Sequence, residues 1–146
     1  MTLLSQEAAQ AVAADVLRQA EAKLPPAKLV QAVSLQKNGL PVPENVNAAV
    51  CGAYIARCRG LDVLDFDDLL LETLALFEAG ELPEEITQRF TYLLVDEFQD
   101  TNDLQESILS CFARKNNVFR VGDIKQSIYG FRHAKPEIMK HHMEKQ

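Results

Sequence analysis

The chain has 146 residues, of which 47% are hydrophobic and 25% charged, and its formal net charge is −6. This composition predicts one folded domain of ordinary size and argues against a disordered chain or a general nucleic-acid binder. No apolar run approaches the roughly 20 residues of a membrane span. The amino-terminal stretch has no basic region followed by an apolar one, so it is not expected to be a signal peptide, and a cytoplasmic location is predicted.

The charge is unevenly distributed along the chain. Residues 1–111 carry 7 basic and 18 acidic side chains, whereas residues 112–146 carry 8 basic and 3 acidic ones. A basic carboxyl-terminal quarter beside an acidic body could face phosphate groups. On charge alone, a solvated basic helix end is the simpler interpretation.

The first sixty residues predict three helices. The alanine-rich stretch from Leu3 ends at "LPP", since proline does not extend a helix that it does not begin. The segment "PAKLVQAVSLQK" predicts a second helix, closed by Asn38-Gly39. A third is predicted to open at Pro43 and to end at Gly60.

The three cysteines show no paired CxxC spacing, and they are Cys51, Cys58 and Cys111. The first two lie seven residues apart and could share one helical face. The simplest interpretation is buried free thiols in a reducing cytoplasm.

After Gly60 the pattern changes. "LDVLDFDDLLLETLALFEAG" predicts an amphipathic helix begun by Asp65 or Asp67, and "PEEITQRF" a short one. "TYLLVDE" is a continuous apolar run, as expected of a strand buried on both faces. A helix with a capping box from Asn102 to Gln105 follows, then a second strand, "NVFRVGD". "KQSIYGF" predicts a turn or short helix, and "AKPEIMKHHMEKQ" a final helix.

The order strand, helix, strand from residue 90 onward predicts a βαβ unit with parallel strands. The expected fold class is therefore α/β, an incomplete parallel sheet with a helical amino-terminal lobe. Two strands do not make a stable sheet by themselves. Either the sequence holds further strands that its pattern does not reveal or the chain is part of something larger.

Polar side chains follow both predicted strands. Asp96 and Glu97 come after the first strand, and Gly122-Asp123 after the second. Ligands of open α/β sheets bind beyond the carboxyl ends of the strands. One carboxylate of an adjacent pair can hold Mg²⁺ through water, and the other can orient or deprotonate an attacking water. The same two residues are explained about equally well without catalysis, because the dipole at a helix amino terminus favours acidic side chains.

The stretch "VGDIKQSIYGFRHA" adds further chemistry. Gln126 offers an amide donor that could sense a terminal phosphate, and Arg132 offers a planar, charged fork. Tyr129 and Phe131 are aromatic residues in a basic neighbourhood, which suits stacking on unpaired bases. Core packing is the alternative for the aromatic pair, and for Phe131 alone it is the better one.

Taken together, "LLVDEFQDTNDLQ" and "FRVGDIKQSIYGFRHA" resemble motifs II (Walker B) and III of superfamily 1 DNA helicases of the UvrD/Rep type. "LDVLDFDDLLLETLALF" resembles the segment that precedes motif II. The lysine of "GDIKQSIYGFR" resembles the AddA/RecB branch of helicase–nuclease proteins. The resemblance implies a partial RecA-like, P-loop-NTPase-like motor domain over residues 61–146. By position, residues 1–60 resemble part of the helical 1B subdomain.

The resemblance also implies roles. Asp96 would hold Mg²⁺ through water, Glu97 would activate the hydrolytic water and Gln126 would sense the γ-phosphate. Arg132 would couple the nucleotide to the DNA track. Supporting and DNA-facing residues complete the set: Gln99, Asp100 and Asp123 in the cleft, and Tyr129 and Phe131 on single-stranded DNA. The Phe131 position is often tryptophan in the family, so stacking there is expected to be weaker.

A P-loop needs a glycine-rich turn closed by Gly-Lys-Ser/Thr, but none of the six glycines precedes a lysine. The chain is therefore expected to be an internal piece of an ATP-driven 3′-to-5′ DNA translocase for repair or recombination. ATP and Mg²⁺ would serve the longer protein, with no tight binding and no ATP hydrolysis in this piece alone. The expected partners are DNA and a helicase–nuclease partner subunit.

Two alternatives stay open. The first is a binding module, for single-stranded DNA or for another protein, that works without catalysis. The second is a metal-dependent nuclease, which would need converging carboxylates. Its candidates are Asp65, Asp67, Asp68, Asp96 and Glu97.

Overall fold

A computed structural model describes residues 1–80, 84–98 and 101–123 of the chain. The chain divides into two compact units, Met1–Leu69 and a second that begins at Leu70. Over the described residues the elements are β1 (Thr2–Leu3), α1 (Gln6–Gln19), α2 (Pro26–Lys37), α3 (Ala48–Gly60), β2 (Val63–Leu64), α4 (Phe66–Glu78), α5 (Glu84–Gln88), β3 (Leu93–Val95), α6 (Asp103–Phe112) and β4 (Val118–Arg120).

The amino-terminal helix begins later than the sequence predicts. The Ser5 side chain accepts a hydrogen bond from the Ala8 backbone N–H at 3.2 Å, so α1 starts at Gln6. Thr2 and Leu3 instead form β1, which pairs in parallel with β2. The predicted start at Leu3 is therefore wrong, because a two-residue strand leaves too little pattern to read.

The third helix shows the same kind of difference. The Asn47 side chain accepts a hydrogen bond from the Ala49 N–H at 2.8 Å, and α3 begins at Ala48 rather than at Pro43. Its predicted end at Gly60 is confirmed, as is the end of α2 just before Asn38. A local side-chain cap therefore sets the start of the helix more firmly than the upstream proline does.

The core of the first unit lies among α1, α2 and α3. Its buried side chains come from all three helices, and the most enclosed are Ala13, Leu29, Val33, Cys51 and Tyr54. Cys51 and Cys58 are buried free thiols on one face of α3, as predicted, while Cys111 of the second unit is half-buried. Burial raises the pKa of both α3 thiols, which disfavours their reactive thiolate form.

A buried lysine ties the end of α2 to the start of α4. The Lys37 Nζ lies 2.7 Å from Asp65 Oδ2 and 2.7 Å from Asp68 Oδ1, with only 8% of its side chain exposed. The Asp65 carboxylate accepts from the Asp68 N–H, and the Asp68 carboxylate accepts from the Asp65 N–H. Of the two predicted starts of α4, Asp65 and Asp67, the structure shows the first, with the helix beginning at Phe66. Asn38 donates to Asp67 at 2.9 Å beside this network.

The ion pairs shift the pKa values of Lys37 and Asp68. Burial by itself lowers the pKa of Lys37, but hydrogen bonds and charges from Asp65 and Asp68 outweigh it, so the pKa is raised. Burial by itself raises the pKa of Asp68, and the Lys37 ammonium outweighs it, so that pKa is lowered from its ordinary 3.8. Both shifts favour the charged forms of Lys37 and Asp68 in the folded chain.

The second unit contains the predicted parallel βαβ unit. β3 pairs in parallel with β4 in the register Leu93 with Val118, Leu94 with Phe119, and Val95 with Arg120, and α6 connects the two strands. Within the described residues this sheet has two strands. The structure is therefore a mixture of helices and small parallel sheets, as the α/β prediction requires.

The sheet is not covered on both faces by described residues. Leu94 is 79% exposed and its register partner Phe119 is 63% exposed, while their strand neighbours are half-buried. Side chains alternate along a strand, so one whole face is open in this part of the chain. The prediction of a strand buried on both faces is wrong here.

None of the helices in the described ranges has the length and apolar character of a membrane span.

Replacing Lys37 by methionine tests the role of the ion-pair network. The substitution leaves two partly buried carboxylates without their cation, and we expect a loss of about 1–3 kcal/mol in the free energy of unfolding at pH 7. The pKa of Asp68 is lower in the folded chain than its ordinary value. The ion pair therefore contributes its full stability at pH values above the ordinary pKa of Asp68, and this contribution is lost as the pH falls through the lowered pKa. The difference from wild type should therefore shrink at about pH 2.

Urea unfolding followed by far-ultraviolet circular dichroism measures this difference at both pH values. Lys28→Met, at an exposed position of the same helix, is the matched control and should change stability by less than about 0.5 kcal/mol. Equal effects of the two substitutions would contradict a stabilising role for the network.

Candidate nucleotide site

The carboxyl ends of the two parallel strands are joined by backbone hydrogen bonds through Val121. Its N–H donates to the Val95 carbonyl at 2.8 Å, and its carbonyl accepts from the Phe98 N–H at 2.9 Å. The loop between Val95 and Phe98 is thus closed against Val121, the residue that follows β4. Asp96 and Glu97 form the tip of this loop.

The acidic pair adopts a specific local conformation. Glu97 has φ of +49°, in the left-handed region, which costs a non-glycine residue roughly 1–2 kcal/mol. The Asp96 Oδ1 accepts a hydrogen bond from the Glu97 N–H at 2.8 Å, and both side chains are exposed. Strain of this kind persists only where the surrounding structure fixes it.

Helix α6 begins just beyond the loop. The Thr101 N–H donates to the Phe98 carbonyl at 3.2 Å, and both Thr101 and Asn102 are buried. The predicted capping box is confirmed: the Asn102 side chain accepts from the Gln105 N–H, and the Gln105 side chain accepts from the Asn102 N–H. The buried cap fixes the helix start next to the carboxylates.

A cavity of about 380 Å³ opens at this strand end. The acidic pair lies on its wall, and the remaining lining is mostly apolar. The lining residues are Leu70, Val95, Asp96, Glu97, Thr101, Gln105, Ile108 and Leu109. An apolar cavity with a few polar groups at one edge is the usual form of a small-molecule site.

The cavity wall offers a metal ion the exposed carboxylates of Asp96 and Glu97. Within the described ranges no three His, Cys, Asp or Glu side chains are grouped so that they could hold a metal. Mg²⁺ usually keeps several waters and is bound by one or two carboxylates plus substrate phosphates. Asp96, exposed on the cavity wall, is suited to that role through water.

The carboxylates of the nuclease alternative do not form such a group. Asp65 and Asp68 are ion-paired with Lys37, and Asp67 accepts from Asn38. These groups have structural partners in the first unit. A two-metal nuclease built from them is therefore disfavoured.

Several predicted site residues lie outside the described residues. They are Gln99, Asp100, Gln126, Tyr129, Phe131 and Arg132, and the predicted final helix lies outside them as well. Asp123 is described: it is exposed and follows β4 by three residues, at the same sheet edge as Asp96. The structure thus brings Asp96, Glu97 and Asp123 to one edge.

The residues that hold the loop in place are not among the predicted site residues. Phe98 is 1% exposed, and the Arg120 guanidinium carbon lies 5.0 Å from the centroid of its ring. Arg120 Nη2 also lies 2.8 Å from Glu106 Oε1 on α6. The sequence signal for these contacts was an aromatic residue inside an otherwise polar loop.

A parallel strand–helix–strand unit with adjacent carboxylates beyond its first strand defines an α/β domain of the kind that binds ligands at its strand ends. The chain belongs to the family of UvrD/REP helicase N-terminal domains, whose family model matches residues 2–146. The resemblance drawn from the two motifs is confirmed at this level.

Curated relatives match the chain over part of its length. It is 45% identical over 85 residues to an ATP-dependent helicase/nuclease subunit of Alkaliphilus metalliredigens, covering 58% of this chain and 7% of that protein. It is 49% identical over 85 residues to the same subunit of Ligilactobacillus salivarius, covering 53% of this chain and 7% of that protein. The ATP-dependent DNA helicase PcrA of Leuconostoc citreum is 46% identical over 89 residues, which cover 60% of this chain and 12% of that protein. The chain therefore spans only about a tenth of the length of these relatives.

The strained conformation of Glu97 gives a test of the loop geometry. Glycine adopts positive φ without the steric penalty of a side chain, so Glu97→Gly should be about 1 kcal/mol more stable than Glu97→Ala. Amide hydrogen exchange in α6 measures the difference. Glu72, exposed within α4, is the control, and there glycine should be less stable than alanine by about 1 kcal/mol. The same sign at both positions would contradict the left-handed loop.

Proposed function

We propose that this chain provides the Walker B and motif III part of the motor of an ATP-dependent DNA helicase. The observation that carries the proposal is the placement of Asp96 and Glu97 side by side at the carboxyl end of β3, on the wall of a cavity. Membership of the UvrD/REP family supports the same interpretation. The parallel partner strand β4 is followed by Gly122-Asp123 at the same edge.

Each carboxylate of the pair takes one role in this proposal. Asp96 holds the nucleotide's Mg²⁺ through water, an ion that neutralises phosphate charge when bound. Glu97 orients the attacking water and accepts its proton. The left-handed backbone at Glu97 takes the acidic pair out of regular strand geometry.

The remaining roles rest on the motif resemblance. Gln126 senses the γ-phosphate, and Arg132 couples the nucleotide to the DNA track. Asp123 supports the cleft. Two more cleft residues and two DNA-facing aromatics complete the set: Gln99, Asp100, Tyr129 and Phe131.

We further place the chain in the AddA/RecB branch, as a 3′-to-5′ translocase of cytoplasmic DNA repair or recombination that works with a helicase–nuclease partner subunit. Lys125 and the helicase/nuclease relatives support this branch. The PcrA relative has an identity between those of the two helicase/nuclease relatives, so similarity alone supports the broader family more strongly than the branch.

Exchange of the matched segment tests the catalytic proposal. Residues 55–139 of this chain replace the corresponding segment of the Leuconostoc citreum PcrA, and DNA-stimulated ATP hydrolysis is measured. We expect a hydrolysing chimera in which Glu97→Gln lowers kcat by about 10²-fold or more, as loss of a catalytic base does. Glu85→Gln, on the exposed face of α5, is the matched control and should leave kcat unchanged. A folded, hydrolysing chimera in which Glu97→Gln has no effect would refute the proposal.

The isolated chain is proposed to be inactive as an ATPase, since its sequence holds no Gly-Lys pair for a phosphate-binding loop. The binding-module alternative rests on the aromatic residues Tyr129 and Phe131 within the basic stretch of residues 112–146. It predicts binding of a single-stranded oligonucleotide that weakens with salt and is lost in Tyr129→Ala and Arg132→Ala. Fluorescence anisotropy measures this binding. Steady ATP hydrolysis by the isolated chain, lost in Glu97→Gln, would contradict both interpretations.

A further inference from the structure

Arg120 occupies a junction of three elements in the second unit. It is the last residue of β4, in register with Val95, the residue before the acidic pair. Its guanidinium carbon lies 5.0 Å from the centroid of the Phe98 ring, and its Nη2 lies 2.8 Å from Glu106 Oε1 of α6. One arginine thus lies beside Val95 of β3, contacts the Phe98 ring at the end of the loop and pairs with Glu106 of α6.

We infer that Arg120 is a positioning residue for the acidic pair, acting through Phe98. The inference rests on the proposed role of Glu97 in ATP hydrolysis. Phe98 follows Glu97 directly, and its buried ring fixes the carboxyl side of the strained loop. Arg120 covers that ring, so the position of the guanidinium limits where the ring, and therefore the backbone of Glu97, can lie.

Arg120 acts at a distance from the cavity. The cavity is lined from α6 by Gln105, Ile108 and Leu109, whereas Glu106, which pairs with Arg120, is not among its lining residues. Arg120 is likewise absent from that lining. The contact that links Arg120 to the acidic pair is therefore the one with the Phe98 ring.

The site is specific for arginine. Arg120 and Glu106 have side-chain exposures of 21% and 16%, so the pair is largely withdrawn from solvent. The Arg120 Nε is buried and has no hydrogen-bond partner among the described residues, which leaves the ion pair and the ring to hold the guanidinium. A planar guanidinium can pair and stack at once, and a lysine ammonium cannot do both in this geometry.

The test reads the backbone of Glu97 by NMR in the intact 146-residue chain without nucleotide. At positive φ the amide proton and Hα of one residue are close together, so Glu97 should give a strong intraresidue cross-peak. Arg120→Lys and Arg120→Met should weaken this cross-peak to the level of ordinary extended residues. Glu106→Gln keeps the arginine over the ring and should weaken it less.

Arg114→Met is the matched control, because Arg114 contacts the Phe90 carbonyl away from the loop, and it should leave the Glu97 cross-peak unchanged. A variant that merely lowers stability would change the exchange rates of amides across the unit but not this cross-peak in the folded state. A strong Glu97 cross-peak in either folded Arg120 variant would overturn the inference, and Arg120→Lys supplies this test even where Arg120→Met does not fold. Since no nucleotide is present, this result is independent of the outcome of the ATP hydrolysis test.

Discussion

The second unit depends on the two backbone hydrogen bonds that Val121 makes with Val95 and Phe98. The parallel register brings the ends of β3 and β4 together, and these bonds turn the end of β3 into a closed loop. An aspartate and a glutamate lie at its tip, with exposed carboxylates and an otherwise apolar cavity beside them. The chemistry proposed for the chain requires that the loop keep its strained shape.

The two units are stabilised in different ways. The first has a dense core among three helices and a buried lysine bound to two carboxylates. The second has few fully buried apolar side chains among its described residues, and much of its order comes from caps, the Asn117 side chain and the Arg120 contacts. An open sheet face with Leu94 and Phe119 fits a segment that spans about a tenth of the length of its relatives.

Much of this arrangement could be predicted from local sequence patterns. The βαβ order, the Asn102 capping box and the acidic strand end all follow from residues close together in the chain. The predicted starts of α1 and α3 were less accurate, because the side-chain caps made by Ser5 and Asn47 set where these helices begin. The two-residue strands β1 and β2 carry too few residues to show a period, and each is defined only by pairing with the other.

The contacts that position the site could not be predicted, since they join residues distant in sequence. The Arg120–Glu106 pair beside the loop spans 14 positions, and in the first unit the Lys37–Asp65 pair spans 28. An arginine at a strand end gives no indication in the sequence of which ring or carboxylate it will meet. Burial of Phe98 in a polar loop likewise depends on residues that the chain brings to it only on folding.

Amide hydrogen exchange at Val121 and Phe98 tests the central claim most directly. If the two strand ends are joined as described, both amides are protected to the same degree as that of Leu93, which donates to Asn117 within the strand pairing. Exchange of the Phe98 and Val121 amides at the rate of an unstructured chain, with Leu93 still protected, would contradict the closed loop and the site built on it.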